Sequence, residues 1–316
     1  MGKGVLSDYG VIQNDGTKLN VILGSDADGN TLVTDVTKAG NILVAGISGS
    51  GKSNLLNTII CSLIESAPLA SEVLVIGLKP LEYADYDACC NVHVFETLWA
   101  AMKALTYWIN EAMADRLESL RTYGCRNLEE YNQKNPNNIW HPILIIIDEL
   151  GDLISRDRKT TEEVLVRVGK CGDATGIHVV AATHEPNGSI LSGRLRKAFP
   201  ARISFKVSNV FESRFVLKTG GAQKLEIPGK AIFLKNGVQT CFKTPLVSKE
   251  EVNRVTSKVS REQKEADNRG EPVQLLCKVG SLMERRQTRR ADERKEHQAK
   301  LKQVEEDLFW LYMMDK

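Results

Sequence analysis

The chain has 316 residues, 42% apolar and 26% charged, the composition of a soluble globular protein with one large core or two modest ones. Its 42 basic and 40 acidic residues leave a net charge of +2, which excludes a chain-wide polycationic field and restricts any nucleic-acid contact to local basic loops. Seven cysteines without CxxC spacing support neither a disulfide frame nor a zinc site, no apolar run reaches the ~18–20 residues that cross a bilayer, and no signal peptide is legible, so a cytoplasmic protein is expected.

Residues 1–40 alternate short β-like runs with turns. Leu19–Leu23 and Thr31–Val36 flank an Asp28-Gly29 step, which predicts a small antiparallel flap. From 41 to about 205, strands alternate with helices, the pattern of an α/β domain with a mainly parallel sheet. Its predicted strands are Ile42–Ala45, Val73–Ile76, Val92–Phe95, Ile143–Ile147, Val179–Ala182 and Arg202–Val207. A helix is expected over 54–66, and a longer one from Glu96 to Tyr123 with Leu98, Met102, Leu105, Ile109, Met113, Leu117 and Leu120 on its apolar face. Gly169–Gly176 reads as a turn. After Val247 the chain becomes highly charged, with a break at Gly270-Glu271-Pro272 and a basic cluster of Arg285, Arg286, Arg289 and Arg290. Leu301, Val304, Leu308 and Leu311 then form a 3-4-3 seam beside Phe309 and Trp310. Three regions follow: a flap over 1–40, an α/β domain over 41–255 and a charged helical tail over 256–316.

Between the first core strand and its helix lies Gly46-Ile47-Ser48-Gly49-Ser50-Gly51-Lys52-Ser53, a complete GxxxxGK[ST] loop. Glycines there let backbone N–H groups wrap a polyphosphate at a helix N-terminus. Lys52 would reach the β- and γ-phosphates of ATP, Ser53 would hold Mg²⁺, and Asn54 continues the cradle. Strand Ile143–Ile147 ends in Asp148-Glu149. Asp148 suits the metal shell and Glu149 suits a general base that polarises water, so hydrolysis leads over mere binding. Thr183 and His184 end the next strand, where a polar side chain can reach the γ-phosphate or the attacking water. Arg194, Arg196, Lys197, Arg202, Lys206 and Arg214 cluster downstream, as phosphate contacts, as a finger into a neighbouring subunit, or as a solvated basic face. Lys170 is a further phosphate-contact candidate on the same terms.

Several ordered stretches resemble the FtsK/SpoIIIE family of DNA-translocating ATPases. Leu23-Gly24, Asp26 and Gly29 resemble its lead-in, and Ile42 to Ser53 its phosphate loop. Glu111, Met113, Arg116, Leu120, Gly124, Arg126-Asn127 and Tyr131-Asn132 resemble its long helix and the "G-x-R-N…Y-N" segment after it. Pro142 to Leu150 resembles its acidic strand, and Gly176-Ile177-His178 through Thr183 and Pro186 the strand beside it. Pro200 to Phe205, Ser213-Arg214 and Gly220 to Leu225 resemble its last blocks, so that the likeness spans roughly 20–255. It implies a RecA-like motor, assembled as a hexameric homo-oligomer around double-stranded DNA. Arg202 and Arg214 sit in matching blocks as candidates to complete a neighbour's site.

Two departures stand out. Gly77 occupies the place of the family's Asp in "I-D-P-K", although Lys79 and Glu82 persist. His184-Glu185 replaces its Gln-Arg. Neither the family's N-terminal membrane helices nor its winged-helix module is legible, which suggests a short relative used in conjugal transfer or in plasmid or phage DNA handling. Its tail could meet a relaxase or a membrane channel that recruits it to the membrane. Two other classes remain open: a type VII secretion-like export ATPase, and an ATP-dependent assembly module with little turnover.

Overall fold

A computed structural model describes residues 4–268, apart from 15, 67–70 and 80. The Arg285–Arg290 cluster and the 301–311 seam lie outside the described residues.

The chain enters through β1 (Asn20–Ser25) and β2 (Thr31–Asp35), an antiparallel pair joined by a turn in which Asp26 Oδ1 accepts from the amides of Asp28 and Asn30. A short α1 (Val36–Ala39), capped by Asp35, leads to β3 (Ile42–Ala45), α2 (Lys52–Ser66), β4 (Glu72–Ile76) and β5 (Val92–Phe95). Next come α3 (Leu98–Tyr107), α4 (Met113–Thr122), α5 (Leu128–Lys134), β6 (Ile143–Ile147), α6 (Leu150–Arg156), α7 (Arg158–Thr175) and β7 (Ile177–Thr183). The described chain closes with α8 (Gly193–Lys197), β8 (Ala201–Ser204), α9 (Val210–Leu217), β9 (Lys230–Lys235), β10 (Val238–Lys243) and α10 (Lys249–Asn268).

Among the described residues, ten strands form one sheet, in the order β2-β1-β10-β9-β8-β3-β7-β6-β4-β5. The six from β8 to β5 run parallel, and the other four extend the sheet antiparallel. The inner parallel strands are largely apolar because both faces are covered, with His178 of β7 and Arg202 of β8 among the exceptions. Ile42, Val44, Val73, Val75, Leu144, Ile146, Val180 and Ala182 face the core built with α2 and α10. Their alternates, such as Ile145 and Val179, face the side on which α7 packs.

Within the first forty residues, β1 and β2 do form an antiparallel hairpin over 20–35. It joins the main sheet through Ser25 opposite Lys243 of β10, and β1 contributes Val21, Ile22 and Leu23 to the core shared with α2. The link that carries it, the β9–β10 hairpin, is absent from the sequence expectations. Its signal was local: Asn236-Gly237 between two β-runs, both residues at positive φ (51° and 82°), the two-residue turn whose twist matches paired strands. The long helix expected from Glu96 is interrupted by a π turn over Trp108–Ala112. That turn shifts the buried stripe, so Trp108 and Ile109 both face inward while Leu98, Met102 and Leu117 are only half-buried.

Residues 169–175 are not a turn but the last two turns of α7, which Gly176 closes as a left-handed cap. Gly169 and Gly172 are there for closeness: a Cβ on Gly172 would stand 2.4 Å from the Ile177 carbonyl oxygen, and one on Gly169 would stand 2.8 Å from Ala198. Much of the "G-x-R-N…Y-N" segment is likewise structural. Asn127 caps α5, Tyr131 stacks on Trp140 at 3.6 Å, and Asn132 bonds the Trp140 backbone in both directions. Arg116 donates to the carbonyls of Thr175 (2.6 Å) and His141 (2.9 Å), tying α4 to the entrances of β7 and β6.

Candidate functional site

Parallel register places four chain segments side by side at the carboxyl edge of the sheet, where α/β folds bind ligands. Ala45 of β3 pairs with Thr183 of β7, Ala181 of β7 with Ile147 of β6, and Ile147 with Ile76 of β4. The residues just beyond these ends therefore meet: the 46–53 loop, His184, Asp148-Glu149 and the 77–82 loop. Together with Pro228 they surround a cleft of about 540 Å³, which Ser48, Gly49, Gly51, Lys52, Ser53, Asn54, Lys79, Asp148, Glu149, Asp152 and His184 also line.

The loop is held open from below. The Ile47 amide donates to the Lys206 carbonyl at 2.8 Å, and the Gly229 amide donates to the Ser50 carbonyl at 2.9 Å. Gly51 has no room for a side chain, since a Cβ would stand 3.1 Å from the Phe205 ring and 3.2 Å from the Gly229 nitrogen. The first-turn amides of α2 have no intrahelical acceptor, the usual condition of a helix start, and the Ser50 hydroxyl is buried without a hydrogen-bond partner. Lys52 Nζ folds back onto the loop's own carbonyls, Gly46 at 2.7 Å and Ile47 at 3.1 Å. Burial lowers its pKa, against the pull of Glu149 and Asp148. A partly buried cation with only carbonyl partners, at the start of a helix, suits a polyphosphate.

Ser53 Oγ donates to Asp148 Oδ1 at 3.2 Å, and Lys79 Nζ lies 3.4 Å from Asp148 Oδ2 and 3.7 Å from Glu82. Partial burial opposes the charge on Lys79, but Asp148 and then Glu82 outweigh it and raise its pKa. Ser53 and Asp148 are hard oxygen donors converging on one point, which fits Mg²⁺, a cation that takes one or two protein oxygens and completes its shell with phosphate and water.

Glu149 caps α6, its Oε1 accepting from the Gly151 amide at 3.2 Å. Its Oε2 accepts from the His184 amide at 3.2 Å and lies 2.6 Å from His184 Nδ1. Thr183 turns away from the cleft: buried, its hydroxyl accepts from the Glu185 amide at 3.2 Å.

The other expected residues lie elsewhere or do other work. Asn54 touches the cleft, but its amide group is engaged by Pro245 O (2.5 Å) and Val247 N (2.9 Å). Arg202 donates to three carbonyls of its own subunit, Phe199, Val216 and Arg196, at 2.9–3.3 Å. Its guanidinium is thereby committed to holding β8 against α8 and α9, which is not the posture of a finger reaching outward. Arg214 is exposed on α9. Arg196 stacks on Phe215 at 4.3 Å, and Lys170 is exposed on α7. None of these lines the cleft.

Asp152 and Pro228 are cleft residues that the sequence reading missed. Asp152 lies three residues after Glu149, one helical turn along the same face, and burial first and Glu149 second raise its pKa. Pro228 gave no sequence signal, since the 226–229 loop reaches the cleft only through tertiary packing.

Gly77, the departure noted above, carries the ring of Tyr83: a Cβ there would stand 2.5 Å from Tyr83 Cδ2. Tyr83 is fully buried, and burial first and the Asp148 charge second hold its pKa well above the ordinary phenol value. Gly77→Ala is therefore expected to destabilise the protein by about 1–3 kcal/mol through overpacking. Tyr83→Leu in the same chain should recover part of that loss; urea unfolding of both variants checks it.

The FtsK/SpoIIIE family profile matches residues 8–188. The chain belongs to the FtsK/SpoIIIE family. It is 34% identical over 276 residues to the DNA translocase FtsK of Clostridium acetobutylicum, covering 83% of this chain and 35% of that protein. It is 35% identical over 250 residues to the DNA translocase SftA of Bacillus subtilis, covering 76% of this chain and 26% of that one. The chain thus spans only about a third or a quarter of these FtsK/SpoIIIE relatives. Among solved structures it resembles the pCW3 conjugation coupling protein TcpA with ATPγS (TM-score 0.72, 24% identity, 83% of this chain and 74% of TcpA). It also resembles the cytoplasmic domain of the Thermomonospora curvata type VII secretion ATPase EccC (TM-score 0.70, 22% identity, 82% and 34%). Both likenesses establish the fold alone, a RecA-like α/β architecture with a large, mostly parallel sheet. No helix among the described residues is long and apolar enough to cross a membrane.

Proposed function

We propose that this chain is the motor module of an ATP-dependent double-stranded DNA translocase or coupling ATPase, working with Mg²⁺ as a hexameric ring. One observation carries the reading: a single cleft brings together the Lys52 cation, the Ser53–Asp148 oxygen pair and the Glu149 carboxylate. Lys52 would leave the Gly46 and Ile47 carbonyls for the β- and γ-phosphates and neutralise charge that builds during bond cleavage. Ser53 and Asp148 would hold Mg²⁺, which supplies Lewis-acid stabilisation of phosphate charge. Glu149 would orient the attacking water and take its proton. Lys79 would exchange its contact with Asp148 for a phosphate oxygen.

The DNA part of the reading is supported by the printed names of FtsK and SftA, both DNA translocases, and the coupling part by TcpA. In a ring, exposed Arg214 is the better candidate than Arg202 to reach a neighbouring copy. Residues 256–316 would meet a relaxase or membrane-channel partner, and a cytoplasmic location with recruitment to the membrane follows from that role.

The test is phosphate release from ATP with and without long duplex DNA, paired with electron microscopy of the nucleotide-bound protein. Several-fold stimulation and ring-shaped particles are expected. Turnover that ignores DNA but answers to a secreted peptide would move the assignment to polypeptide export. Oligomers formed on ATP without turnover would make the chain an assembly module.

A further inference from the structure

Glu149 and His184 are thirty-five residues apart in sequence and in direct contact in space. A carboxylate only accepts, so His184 Nδ1 carries the proton and donates to Glu149 Oε2 at 2.6 Å, a short charge-assisted bond. The His184 amide donates to the same oxygen at 3.2 Å, and the Gly151 amide occupies one lone pair of the other. Oε2, the oxygen on the His184 side, therefore has both lone pairs engaged. It cannot accept a proton from water until the histidine lets go.

The histidine is well placed to do so. Its side chain is 50% exposed, against 11% for that of Glu149, so it can swing while the carboxylate stays anchored by its helix cap. Its loop continues through exposed Glu185, Asn187, Gly188 and Ser189, and returns to the domain where Arg158 bonds the Ser189 carbonyl and Ser192 bonds Glu162. The loop begins at His184 itself, immediately after β7, so a shift of the loop's first residues moves Nδ1 relative to Oε2.

We propose that His184 is a latch on the catalytic carboxylate. It positions Glu149 in a resting orientation, and displacement of the 184–192 loop when duplex DNA binds frees Oε2 for the attacking water. The proposal rests on the ATPase reading above and assigns His184 to Glu149 rather than to the phosphate. A contact to phosphate would make loss of the imidazole harmful, whereas a latch makes it activating.

The experiment measures kcat and KM for ATP, without DNA and with saturating duplex, for wild type, His184→Ala and His184→Asn. The latch predicts that His184→Ala raises the DNA-free kcat several-fold, to the level that saturating duplex DNA gives the wild type. Its KM should stay unchanged and its response to DNA should shrink by the same factor. Asn places an amide donor where Nδ1 stands and should restore the low basal rate. The extra turnover should vanish in His184→Ala/Glu149→Gln, which shows that it runs through the carboxylate. Should the Ala variant melt lower than wild type, His184→Ser, which fills more of the space without reaching Oε2, takes its place. DNA-stimulated wild type with an unchanged or reduced basal rate in the Ala and Ser variants overturns the latch alone. No turnover in wild type under any condition removes the ATPase reading and the latch with it.

Discussion

Replacing Glu149 by Gln should cut ATP turnover by about 10²–10⁴-fold, the range attributable to a general base, while nucleotide still binds. The substitution is nearly isosteric, and the new carbonyl oxygen can still accept from the Gly151 amide and cap α6, so the fold should persist. Lys52→Ala acts on a different step. It removes the one lysine at the head of α2 and with it a charge-assisted phosphate contact, weakening nucleotide affinity by about 10–100-fold. Binding of a fluorescent nucleotide, set beside phosphate release, separates the two. Turnover of Glu149→Gln within threefold of wild type would remove Glu149 from the chemistry.

The second large effect concerns stability against acid. His178 sits in β7, 1% exposed, and neither ring nitrogen makes a hydrogen bond. Burial pushes its pKa down from 6.5 to about 4, against weaker opposing pulls from Asp173 and Asp35. The folded protein thus resists a proton that the unfolded chain accepts. Stability is complete above pH 6.5 and falls as the pH drops toward 4, between the values for the unfolded and folded states. The loss is about 2 kcal/mol at pH 5 and about 3 kcal/mol below pH 4. His178→Leu, close in volume and with nothing to protonate, should cost little at pH 7 because no hydrogen bond is broken. Urea midpoints measured at pH 7 and pH 5 should fall much further for wild type than for this variant. Parallel behaviour of the two would mean that water or a neighbour solvates His178.

Much of the site was legible because its requirements are local. A phosphate loop needs glycines at set positions between a buried strand and a helix, and residues 42–66 state all of that within one continuous stretch. Asp148-Glu149 was legible as well, since a parallel strand covered on both faces reads as an apolar run that ends abruptly in charge. What misled was glycine inside α7. Read alone, Gly169, Gly172 and Gly176 argue for a turn, because glycine weakens an isolated helix. The contacts that call for two of them, with Ala198 and with the Ile177 carbonyl, come from β7 and from beyond it. Position in a block likewise says nothing about where the Arg202 guanidinium finds its acceptors.

From its order of residues alone, this protein declared a parallel α/β architecture, a triphosphate loop and an acidic strand end, because periodicity and glycine spacing are written along the backbone. Folding decided the rest. It chose the strand order that brings positions 46–53, 77–82, 148–149 and 184 to one edge. It paired β10 with the N-terminal hairpin, and it closed the Glu149–His184 contact. Those are pairings between distant segments, fixed by which apolar faces can be buried together, and no single stretch of sequence contains both partners.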